Sequence, residues 1–173
     1  DKFNQPLNNW ITNKVKDMSN MFGSCEIFNQ PLNSWDVSSV ENMCAMFDNC
    51  YEFNQPLNKW VVGCVKNMNS MFQECRKFNQ PLDHWDVSSV ENMTSTFYLC
   101  SEFNQPLNNW NVSKSISMSF MFNNCKNFNQ PLDSWDVSRV IHMRCMFDGS
   151  KNVDMPLNKW NISKVKDINQ MFN

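Results

Sequence analysis

Glycine and histidine are scarce in this sequence. Only Gly23, Gly63 and Gly149 occur, too few and too scattered to build a phosphate-cradling loop. The two imidazoles, His84 and His142, lie far apart in the chain, so neither has an obvious partner for acid–base or nucleophilic work. No C-x-x-C pair and no Cys-His cluster occurs, which removes the usual spacings of a zinc site. No apolar run approaches the roughly 20 residues that a membrane-spanning helix needs. The net charge of −2 carries no general basic stripe of the kind that nucleic-acid modules show. These absences argue against an enzyme, a metal or cofactor site, a nucleic-acid partner and direct membrane insertion.

What is present is a phrase of 25 residues, repeated without a gap. Its clearest copy is FNQPLNSWDVSSVENMCAMFDNCYE, from Phe28 to Glu52. The opening Phe returns as Phe3, Phe53, Phe78, Phe103 and Phe128, with Val153 in the last copy, and Trp returns as Trp10, Trp35, Trp60, Trp85, Trp110, Trp135 and Trp160. A fixed period of this size belongs to arrays whose units bury their apolar residues against one another. Residues 1–173 therefore read as one solenoid domain of seven units.

Counting the Phe as position one, apolar residues fall at one, five, eight, ten, thirteen, sixteen, nineteen, twenty and twenty-three. Trp35 and Val37 alternate about Asp36, which predicts a short parallel strand with Trp and Val inward. Val40, Met43, Met46, Phe47 and Cys50 are spaced three, three, one and three, which predicts a short helical or 3₁₀ return. Ser38 with Glu41 has the form of a capping box for that return. The expected fold class is thus an α/β repeat solenoid, with one strand and one helical return in each unit.

The spacing L-x-x-W-x-V followed by M-F-x-x-C-x-x-F resembles leucine-rich repeats of the BspA-like group. The fuller phrase F-N-Q-P-L-N-x-W-D-V-S-x-V looks like the tandem repeat of BspA-family surface proteins and lipoproteins of mycoplasmas and other bacteria, also met in protists and large DNA viruses. Position thirteen departs from ordinary leucine-rich repeats, because Val stands where those carry Asn. Any polar ladder must lie elsewhere, and Asn4, Asn29, Asn54, Asn79, Asn104 and Asn129, each followed by Gln, are in register for one. The resemblance implies an adhesin-like role at a cell surface, outside the cell or on a virion.

Of eight cysteines, Cys25, Cys50, Cys75, Cys100 and Cys125 form a column whose sixth place is Ser150. In-register side chains point alike rather than at one another, so free thiols packed as small apolar groups are expected. Position twelve gathers Lys14, Lys114, Arg139 and Lys164 but is interrupted by Ser39, Cys64 and Ser89, and reads as a solvated edge. Asp36, Asp86 and Asp136 recur only in alternate units, about 10 Å apart by strand spacing, too far for a carboxylate pair.

Two surfaces are candidates for a partner. Lys59, His84, Asp86, Asn111 and Asp136, at positions seven and nine, form an outward ladder suited to a protein or glycan. Tyr98, Leu99 and Phe120 place large apolar groups where other copies are mostly polar, and are expected on the convex side. Asn92, Asn111 and Asn161 also open acceptor sequons, two of them on the ladder itself. The alternative to a binding module is a structural part of a surface layer or viral particle. Neither end carries a cap, so the segment is expected to be an excerpt of a longer array whose open faces engage neighbouring repeats or pair end to end.

Overall fold

The computed structural model describes residues 2–173. Unit 1 runs 3–27, unit 2 28–52, unit 3 53–77, unit 4 78–102, unit 5 103–127, unit 6 128–152 and unit 7 153–173. The units stack in register, each apolar position forming its own column. Phe53, Leu57, Val65, Met68, Met71, Phe72 and Cys75 of unit 3 are fully buried, and so are most of their counterparts in the neighbouring units.

The expected strand and helical return are both absent among the described residues. Extended pairing is limited to single-residue parallel bridges linking Asp17, Asn42, Asn67, Asn92, Ser117, His142 and Asp167. Those bridges fall at position fifteen, not around Trp-x-Val. The rest of each unit is a succession of turns, closed by bonds from residue i+3 back to residue i. In unit 3, Trp60 N donates to Leu57 O, Val65 N to Val62 O, Met71 N to Met68 O and Cys75 N to Phe72 O. The first and fourth residues of each of these turns point inward, which generates an apolar spacing of three without any helix.

Backbone amides find partners in spite of the irregular chain. From position sixteen onward, alternate amides serve different partners. Met68, Ser70, Phe72 and Glu74 donate to the carbonyls of Asn92, Thr94, Thr96 and Tyr98 in the next unit, at 2.7–3.0 Å. Met71, Gln73 and Cys75 donate within their own turns. Buried backbone groups are thereby satisfied without a regular element. The arrangement needs a left-handed residue at positions eighteen and twenty-two, where Ser70 has φ 53° and Glu74 φ 57°. The same two columns hold Ala45, Asn49, Ser95, Leu99, Phe120, Asn124 and Cys145, all at positive φ. A positive φ at the third residue of a turn is the type II condition.

The capping box is replaced as well. The Ser38 amide and hydroxyl both donate to Asp36 Oδ1, at 3.0 and 2.6 Å, while Glu41 pairs with Lys66 at 2.7 Å and Lys16 at 3.6 Å. Side chains add three further ladders. Asn Oδ1 accepts the amide of the next Asn, as Asn79 N to Asn54 Oδ1 at 3.0 Å, and also the Nε2 of the next Gln. Each Trp from Trp35 to Trp160 donates Nε1 to the Leu carbonyl one unit earlier. Cys50, Cys75, Cys100 and Cys125 donate Sγ–H to the Phe carbonyl of the preceding unit, and the Ser150 hydroxyl makes the same bond.

Equivalent rings step by different amounts around the section. Stacked Trp rings lie 6.1–6.4 Å apart, whereas the Phe22–Phe47–Phe72–Phe97–Phe122–Phe147–Phe172 column steps by 5.4–5.7 Å. Successive units therefore diverge toward the Trp edge. Trp10 and Phe172, on the two end faces of the described stack, are 54% and 60% exposed.

Candidate functional site

Lys59, His84, Asp86, Asn111 and Asp136 all lie exposed on the Trp edge, where the units diverge. They sit on turns rather than on a strand. Asp86 Oδ1 accepts the Ser88 amide at 3.0 Å, Asp136 Oδ1 the Ser138 amide at 3.0 Å and Asn111 Oδ1 the Ser113 amide at 3.2 Å. The Asp86 carboxyl is held below the usual carboxylate range by the Ser88 hydroxyl and amide, with Lys114 adding to the effect. Ser138 does the same to Asp136. These acids thus have a local duty in closing turns as well as an outward face. Lys59 is anchored through its backbone amide to Asn33 Oδ1, and His84 Nδ1 stands 3.9 Å from Asp83.

The second expected surface differs from an exposed apolar patch. Tyr98 and Phe120 pack edge to face with centroids 6.4 Å apart, and both are half-buried. Leu99 is also half-buried, and Leu99 and Phe120 each occupy a left-handed position at φ 60°. All three belong to the tighter side of the stack, beside the inter-unit amide ladder.

Charge is distributed unevenly along position fourteen. Glu41 pairs with both Lys16 and Lys66 across units 1 to 3, but Ile116 and Ile141 take the equivalent places in units 5 and 6. Of the sequons, Asn111 and Asn161 are exposed, while Asn92 is half-buried and its Oδ1 holds the Thr94 amide at 3.0 Å.

One concavity escaped the sequence reading. Asn124, Lys126, Asn127, Gly149, Lys151 and Asn152 line a groove of about 510 Å³ at the corner of units 5 and 6. Its only sequence signal is a glycine at position twenty-two, where the other units carry Ser24, Asn49, Glu74, Leu99 and Asn124. A second concavity, of about 340 Å³ and lined by Trp10, Val15, Met18 and Met21 among others, is part of the open face of unit 1.

Neither a curated protein nor a solved structure matches the chain. One family profile does, over residues 1–98 and again over 67–173, so that the two matches together span the whole sequence. On that match, the chain belongs to the family described as Mycoplasma protein of unknown function, DUF285.

Proposed function

We propose that this chain is a non-enzymatic repeat scaffold that binds a protein or glycan partner at a cell or particle surface, in the manner of a BspA-like adhesin. The observation that carries the reading is the contrast between the two sides of the wall. Inward positions keep nearly the same residue in each column, with Thr12, Thr96, Ser115 and Ser150 the buried polar exceptions, whereas positions seven and nine, held in place by the same turns, present Lys59, His84, Asp86, Asn111 and Asp136. A fixed backbone with a changing exposed row is how repeat arrays build an extended binding surface. The resemblance to surface proteins supports a location outside the cell.

The test is a comparison on an array of neutral oligosaccharides together with immobilised extracellular matrix proteins. Binding by the native chain that disappears when Lys59, His84, Asp86, Asn111 and Asp136 are all changed to Ala, with the melting temperature preserved, supports the reading. Binding that survives those changes, or no binding to any probe, overturns it.

A further inference from the structure

We infer that the groove at the corner of units 5 and 6 is a binding subsite for an acidic sugar, a pyranose carrying a carboxylate or sulfate. The inference rests on the glycan branch of the function proposed above, but on different residues. Its volume, about 510 Å³, lies within the range of ligand pockets, roughly 300–1,000 Å³.

The groove exists because two columns change character together. At position twenty-two Gly149 adopts φ +71° and places no side chain in the recess. A Cβ there would approach Asn124 Oδ1 to 2.5 Å, so the space beside Asn124 depends on the glycine. At positions twenty-four and twenty-five, the earlier units are self-satisfied: Arg76 lies over the Tyr51 ring and pairs with Glu74, and Lys77 pairs with Glu102. Units 5 and 6 instead carry Lys126 and Lys151 at position twenty-four and Asn127 and Asn152 at position twenty-five. Among the described residues neither lysine forms an ion pair, and no carboxylate lines the groove.

Two exposed ammonium groups in register supply point charges for an anion. The side-chain amides of Asn124, Asn127 and Asn152 supply paired donors and acceptors of the kind that hydroxyl groups match. Asn152 Nδ2 donates to Lys126 O at 2.7 Å and Asn124 Nδ2 to Asn123 Oδ1 at 2.6 Å, which fixes the orientation of both amides. The combination of charge with several neutral hydrogen-bonding groups distinguishes an acidic sugar from a bare anion.

The test is a titration of the ¹⁵N-labelled chain with glucuronic acid, with glucose and with inorganic sulfate, followed through the Asn124, Asn127 and Asn152 side-chain resonances. The expected result is saturable shifts with glucuronic acid, at least tenfold weaker response to glucose and to sulfate, and about tenfold loss of affinity in K126Q/K151Q, as for loss of two exposed charge pairs. G149N, which keeps both charges and suits a left-handed position, is expected to fill the recess and abolish the shifts. Equal response to sulfate and glucuronic acid, undiminished binding in G149N, or no saturation with any probe overturns the subsite. Because the groove shares no residue with the Trp edge, the five-residue Ala variant is expected to keep these shifts, and failure of either site leaves the other standing.

Discussion

The indole Nε1 of Trp110 donates to the carbonyl oxygen of Leu82 at 2.8 Å, across the boundary between two units. The same carbonyl closes the turn of its own unit by accepting the Trp85 amide at 3.0 Å. Each Leu carbonyl on this edge therefore ties a unit to itself and to the next. Trp110 is only 2% exposed and its ring lies 6.1 Å from that of Phe97, so the indole fills volume as well as bonding. Trp110→Ala should cost about 3–5 kcal/mol of unfolding free energy, as large-to-small core changes do. Denaturant titration measures it, and a loss below about 1 kcal/mol would contradict the inward column.

The Asn ladder makes a prediction that separates hydrogen bonding from size. Asn79 Oδ1 accepts both the Asn104 amide and Gln105 Nε2 at 3.0 Å. Asn79→Ala leaves those donors unpaired and should cost about 1–3 kcal/mol. Asn79→Asp keeps the acceptor and should lose clearly less at neutral pH. Equal losses in the two variants would show that the acceptor is not what position two contributes.

Buried thiols set an alkaline limit. Cys50, Cys75, Cys100 and Cys125 are fully buried, and desolvation pushes each thiol above its ordinary value of 9.0. A raised folded-state value means that the folded chain keeps protons which the unfolded chain releases. Stability is then unaffected below the ordinary thiol range and falls as pH rises through it, by about 1.4 kcal/mol per pH unit for each thiol. The quadruple Cys→Ser variant keeps the donor, as Ser150 does naturally, and should lose this part of the pH dependence. Denaturation midpoints between pH 8 and 10.5 check it, with identical slopes in the two proteins counting against the account.

The parts of this fold legible in the sequence were those expressed as columns. The period, the inward Trp and the Asn ladder all depend on residue identity at one register, and Asn79 or Trp85 can be read directly. The local backbone was not legible, for a specific reason. An apolar spacing of three fits a helix face and also a chain of turns whose first and fourth residues point inward, as Met68 and Met71 or Phe72 and Cys75 now show. The feature that decides between them is positive φ, and it is carried here by Ser95, Leu99 and Phe120, residues that give no signal of it. The exposure of Lys59 and its fellows was legible because it follows from register. The groove beside Gly149 was not, because it arises from a missing side chain.

The central structural claim is that each unit is built from turns with obligatory left-handed residues, in place of a strand and a helical return. Ser95 tests it most directly, since it stands in the middle of the array at φ 55° with its amide bonded to Ser119 O at 2.9 Å. A left-handed position costs an ordinary residue about 1–2 kcal/mol, which glycine avoids at an entropic cost of about 0.5–1 kcal/mol. Denaturant unfolding of Ser95→Gly and Ser95→Val is the measurement. The account predicts that Gly is neutral or stabilising by up to about 1 kcal/mol and that Val, β-branched, is destabilising by at least about 1 kcal/mol. The reverse order, with Val tolerated and Gly costing about 1 kcal/mol, is what a helix or a strand would give and would contradict the turn-built unit.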